Sequence, residues 1–171
     1  MTHAGAMLTE AERRSVLDAI HFYGWLPRHE VDRVRDQADC ELPYDLIARA
    51  AVEDEDSSVR WQSVMLLDHY DDDRHFDALV RAAHDPVARV RRHAVHALGC
   101  DACKRTAGCV DPIPTLTDSA LHDENAKVRR HATWSLMMRL PDPRARAVLQ
   151  QLAASDSDER VRRDAGWASG R

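Results

Sequence analysis

One short phrase recurs four times along the 171 residues, and no other feature of the sequence constrains the fold as tightly. Its anchor is a valine followed by an arginine: Ser58-Val59-Arg60, Arg89-Val90-Arg91-Arg92, Lys127-Val128-Arg129-Arg130 and Arg160-Val161-Arg162-Arg163. The valines stand 31, 38 and 33 residues apart, a length that accommodates two short helices and their turns. A helical pair of that size cannot bury its apolar face alone. Neighbouring pairs therefore stack and share one continuous core, which is the physical definition of a solenoid.

The spacing within each copy supports the same reading. Five residues before each anchor valine stands an aspartate: Asp54, Asp85, Asp123 and Asp156. Three before it stand Asp56, Val87, Asn125 and Asp158, and three of those four are side chains that cap a helix N-terminus. In the second copy Pro86 stiffens the turn instead. Four residues beyond the anchors come Ser63, Ala94, Ala132 and Ala165, and eight beyond come Leu67, Leu98, Leu136 and Ser169. That spacing marks one face of a helix, with a small residue at its middle so that helices approach closely. Each preceding helix also carries an apolar set, such as Leu46, Ile47 and Ala51, or Val148, Leu149 and Leu152.

The aspartate turn, the Val-Arg pair, the small residue and the leucine resemble the HEAT-repeat family, and His93 to Gly99 (HAVHALG) is especially similar. The resemblance spans roughly residues 46 to 169. It implies an all-α chain, a right-handed α-solenoid of about four HEAT-type helical hairpins over 46–171, with an N-terminal helical cap over 1–45. In the cap, Thr9 with Glu12 reads as a capping box that opens a helix reaching about Tyr23, and Gly24 stops it. The last repeat ends at Ser169-Gly170-Arg171 without an equivalent cap, which leaves a surface for self-association. HEAT-like proteins include scaffolds, bilin lyases, DNA glycosylases and a di-iron hydroxylase, so the fold alone selects no activity. The di-iron pattern is not met: His29-Glu30 is present, but the equivalent places in the repeats read His93-Ala94 and His131-Ala132.

Aromatic residues make up 5% of the chain and charged residues 31%, a balance that suits helices packed through small side chains. The first ten residues contain no apolar run of signal-peptide type and no stretch approaches a membrane-spanning length, so a cytoplasmic protein is expected. A net charge of -5 opposes general binding to nucleic acid, and residues 155–164 carry three arginines against four acids.

The longest anchor-to-anchor step holds an insertion over 99–113 with Cys100, Cys103 and Cys109. Together with His96, one helical turn before Cys100, these residues have the types and spacing of a Cys3His zinc site. Two other readings stand beside it: reduced thiols without a role, and a thiol or metal sensor built on the Cys-x-x-Cys pair.

A second group lies on the helix face two and six residues beyond the anchors: Trp61, Met65, Arg92, His96, Arg130, Trp134, Arg163 and Trp167. Tryptophan and arginine are the residues most enriched at binding hot spots, and HEAT-like solenoids carry this side on the concave surface. Trp61, Met65, Arg92, Arg130, Trp134, Arg163 and Trp167 are therefore the expected contact residues for a protein or peptide partner. The anchor arginines Arg60, Arg91, Arg129 and Arg162 keep a fixed offset from the turn aspartates, and this predicts a ladder of Arg-Asp contacts between repeats. Binding is favoured over catalysis, with nucleic acid as an alternative ligand.

Overall fold

The computed structural model describes residues 7–26, 28–70, 74–100 and 110–169, and among them the chain forms ten helices and no strand. The cap consists of α1 (Glu10–Tyr23) and α2 (Arg28–Glu41). Four pairs follow: α3 (Tyr44–Glu53) with α4 (Ser57–Tyr70), α5 (Phe76–Ala82) with α6 (Ala88–Gly99), α7 (Ile113–His122) with α8 (Ala126–Met137), and α9 (Pro143–Ser155) with α10 (Glu159–Ser169). Helices α4, α6, α8 and α10 pack successively into one layer; α3 packs on α5 and α7 on α9 in the other. Repeats of this kind contact only their neighbours, and this chain follows that rule.

Local chemistry explains the boundaries. Helix α1 starts at a complete capping box, in which the Thr9 hydroxyl accepts from the Glu12 amide and the Glu12 carboxylate accepts from the Thr9 amide. It ends at Gly24, where any Cβ would stand 2.7 Å from the Ile20 carbonyl oxygen. Asn125 caps α8 by accepting from the Lys127 amide, and Asp158 accepts from the amides of Arg160 and Val161 at the start of α10. Pro86 sits in a turn without a side-chain cap, since Val87 has no oxygen to offer.

The anchor positions build the core. Val59, Val90, Val128 and Val161 are buried, as are the residues four beyond them. The small residues there permit close approach, and Gly99 at the end of α6 takes this furthest: a Cβ on it would lie 2.2 Å from that of Ser135 on α8. The Ser135 hydroxyl donates to the Val95 carbonyl across the same junction, so the buried oxygen is satisfied.

Between the repeats runs the expected ladder, and its rungs are built alike. In each, Nη1 of the anchor arginine donates to two carbonyls of its own turn, while Nε and Nη2 grip both oxygens of the next turn's aspartate. Arg60 bonds the carbonyls of Asp54 and Glu55 and forks onto Asp85 at 2.6 and 3.0 Å. Arg91 bonds those of Asp85 and Pro86 and forks onto Asp123 at 2.7 and 3.0 Å. Arg129 bonds those of Asp123 and Glu124 and forks onto Asp156 at 2.9 Å with both nitrogens. Every one of these aspartates also accepts the amide two residues on, which closes its own turn. At the first repeat the cap supplies the missing donor, since Arg13 of α1 forks onto Asp54 at 2.8 and 3.3 Å. Arg162 holds the carbonyls of Asp156 and Ser157, but among the described residues no carboxylate lies on its fork.

Arg60, Arg91 and Arg129 are buried, so removing one leaves a desolvated carboxylate and two carbonyls without donors. Arg91→Ala is expected to destabilise the chain by about 3 kcal/mol, and Arg91→Lys to recover less than half of that, because an ammonium cannot supply a planar fork. Urea denaturation of these variants, with the exposed Arg163→Ala as a control expected to stay within about 0.5 kcal/mol of wild type, is the measurement.

Candidate functional site

The outward face of the α4–α6–α8–α10 layer carries a row of rings that crosses three repeats. Trp25 of the cap meets Trp61 of α4 edge-on at 6.4 Å between centroids, and Trp61 meets His93 of α6 at 5.9 Å. His93 lies 5.9 Å from His96, His96 lies 6.4 Å from His131 of α8, and His131 lies 5.1 Å from Trp134. Helices α6 and α8 carry their rings at matching offsets, three and six beyond the anchors, so the Arg-Asp ladder, by fixing the register of the repeats, also aligns the row.

The expected contact residues all lie on this face, but in different environments. Trp61 is half-buried and clamped: its indole Nε1 donates to Nδ1 of His93 at 3.2 Å, and the Arg89 guanidinium sits 3.4 Å above its ring. Met65 is half-buried beside it. Trp134 and Trp167 are 39% and 58% exposed. Arg130 donates to Asp164 at 2.5 Å, Trp134 Nε1 donates to the same oxygen at 2.9 Å, and Arg130 lies 4.6 Å over the Trp134 ring. One carboxylate of α10 thus positions two residues of α8. Arg163 is largely exposed, and Arg92 is half-buried with no ion-pair or hydrogen-bond partner among the described residues.

Three side chains of the face lie outside the set expected from the helical wheel: His93, His131 and Asp164, each three residues beyond its anchor. The signal was present, since a position three beyond the anchor flanks the position six beyond on the same helix side. His93 accepts from Trp61 through Nδ1, so its own proton resides on Nε2. Burial, reinforced by the neighbouring charges of His96, His69 and Arg92, holds its pKa down to about 4, and burial likewise lowers that of His131. Beneath the row, fully buried Asp68 places a carboxylate oxygen 3.7 Å from Nε2 of both His69 and His96.

Of the four residues expected to hold zinc, Cys103 and Cys109 lie outside the described residues. His96 and Cys100 line one cavity of about 230 Å³ together with Gly99, His131, Trp134, Ser135 and Met138. Among the described residues no three His, Cys, Asp or Glu side chains are grouped so as to hold a metal ion. No helix among the described residues is long and apolar enough to cross a membrane.

Stacked helical pairs, a shared core and a repeated turn define a helical-repeat protein. The model of HEAT repeats matches residues 45–101 and 100–170, and the chain belongs to the HEAT-repeat family. The fold is similar to a chain in the structure of the complex of CpcE and CpcF of phycocyanin lyase from Nostoc sp. PCC7120. The two share 21% sequence identity with a TM-score of 0.63, over 91% of this chain and 98% of that one. No curated protein sequence matches.

The depressed pKa of His93 carries a stability consequence. Between its value of about 4 in the folded chain and the ordinary 6.5, the unfolded chain binds the extra proton, so stability falls as pH drops through this window. Lowering the pH from 7 to 5 should cost wild type about 2 kcal/mol more than His93→Asn, whose amide oxygen lies where Nδ1 does and accepts from Trp61 without titrating. Thermal melts of both proteins at the two pH values provide the comparison.

Proposed function

We propose that the chain is a non-enzymatic interaction scaffold that binds a protein or peptide segment along the ring-lined face of its second-helix layer. The observation that supports this reading most is the exposure of Trp134 and Trp167 at equivalent places on adjacent helices, each four residues after an arginine of the same face. Exposed tryptophan on a rigid support is costly in water and is favoured at binding hot spots. The similar fold found in a complex of two proteins, CpcE and CpcF, is consistent with a protein partner. Self-association through the last repeat belongs to the same proposal.

Trp167→Ala should change stability by no more than about 0.5 kcal/mol and weaken partner binding by about 2 kcal/mol or more. Trp134→Ala should behave alike, with a slightly larger stability loss from its bond to Asp164. Affinity capture with wild type and both variants, alongside thermal melts, tests this, and sedimentation of the chain alone shows whether a second copy is the partner. A large melting loss in both variants would assign the tryptophans to the core and remove the reading.

The insertion carries a separable proposal: a zinc ion held by His96, Cys100, Cys103 and Cys109 stabilises that edge of the face. The shared cavity of His96 and Cys100 supports it, since it brings the first two ligand types together before the loop begins. Protein purified under reducing conditions should contain about one zinc per chain. Metal-free protein with full helicity and freely reacting thiols would overturn it.

A further inference from the structure

The charge of the ring-lined face is opposite to that of the chain. Across the four repeats, the positions two, three and six beyond the anchors hold three arginines, three histidines, three tryptophans and a single carboxylate, Asp164. Asp164 is already engaged by Arg130 and Trp134, and the buried Asp68 beneath the row faces His69 and His96 at 3.7 Å. The chain as a whole carries -5, so the concentration of cationic and imidazole groups on one face is a local arrangement. At its centre Arg92 is half-buried with no acid beside it among the described residues, in contrast to Arg60, Arg91, Arg129 and Arg130, each of which grips an aspartate.

Next to Arg92 on the same helix side, one turn on, His96 opens the cavity of about 230 Å³ that it shares with His131, Trp134 and Met138. The volume is below the roughly 300 to 1,000 Å³ of typical small-molecule sites and suits one side chain. Its walls include the rings of His131 and Trp134 and the thioether of Met138, which favour an aromatic guest through ring and sulfur contacts. A half-buried guanidinium beside such a cavity favours a carboxylate, with which it forms charge-assisted bonds.

Building on the interaction reading above, we infer that the face recognises an acidic protein segment, in which one aromatic side chain enters the cavity between His96, His131 and Trp134 and a neighbouring Asp or Glu docks on Arg92. A nucleic acid is the poorer occupant: Arg130 is neutralised by Asp164 and Arg89 is committed to Trp61, so few cations remain to follow a phosphate backbone.

The test uses the full chain and two small probes of equal shape, N-acetyl-phenylalanine with a free carboxylate and its neutral amide. Nuclear magnetic resonance of the histidine rings, tryptophan indoles and arginine side chains follows both titrations. The carboxylate should perturb Trp134, His131 and Arg92 together and bind about tenfold tighter than the amide. Arg92→Gln should reduce the difference to under about twofold while the amide still binds, and unchanged melting separates this from misfolding. Equal binding of acid and amide, a preference that survives Arg92→Gln, or binding of neither would overturn the inference. So would an oligothymidylate of twelve nucleotides that displaces the carboxylate with a steep salt dependence. None of these results decides whether the face binds protein at all, which the Trp134 and Trp167 captures answer separately.

Discussion

The bidentate Arg-Asp rung is the interaction on which the rest of the molecule depends. Hydrophobic stacking holds helical pairs together but is tolerant of sliding, because one apolar surface resembles another. A planar fork that must meet two carboxylate oxygens is not tolerant. Each anchor arginine also bonds carbonyls of its own turn, so the guanidinium is fixed before it reaches across, and the partner aspartate is fixed by the amide two residues on. The rung is rigid on both sides of the junction. Burying charge in this way adds little net stability compared with apolar contact, but it gives the repeats one register.

Register is what turns separate side chains into a surface. His93 and His131 occupy matching places on α6 and α8, and each approaches the rings of its neighbours because the anchors are aligned. The contact between Trp134 and Asp164 crosses from one repeat to the next in the same manner. Close approach at Gly99 and Ser135 brings α6 and α8 near enough for the cavity beside His96 to have ring walls on both sides. The cap takes part as well, since Trp25 continues the row beyond the first repeat.

The period, the helix pairs, the capping residues and the ladder were all legible because each depends on a few residues at short, fixed separations. The capping box at Thr9 and Glu12 and the aspartate turns are local chemistry repeated in plain view. The donor for Asp54 was not legible, because Arg13 lies in the cap, 41 residues away and outside the repeated phrase. Nor was the clamp on Trp61: a helical wheel places that residue outward, and only the packing of α6 reveals that His93 and Arg89 half-enclose it. A wheel treats one helix at a time, while the character of the face arises between helices. Thus Trp134 and Trp167 are exposed, whereas the rings that the two histidines three beyond the anchors meet became visible only when neighbouring repeats were stacked.

The ladder also bears on how such a molecule grows. A segment that runs from one turn aspartate to the next begins with an acceptor and carries a donor six residues later, as in Asp54 with Arg60, Asp85 with Arg91, and Asp123 with Arg129. A tandem duplication of that segment brings both halves of its junctions along. The new copy accepts the arginine before it and offers its own to the aspartate after it, without any compensating change. Length is therefore a quantity that heredity can vary in whole steps, whereas a duplicated piece shorter than one period, holding an aspartate without an arginine or the reverse, would break the alternation of donor and acceptor.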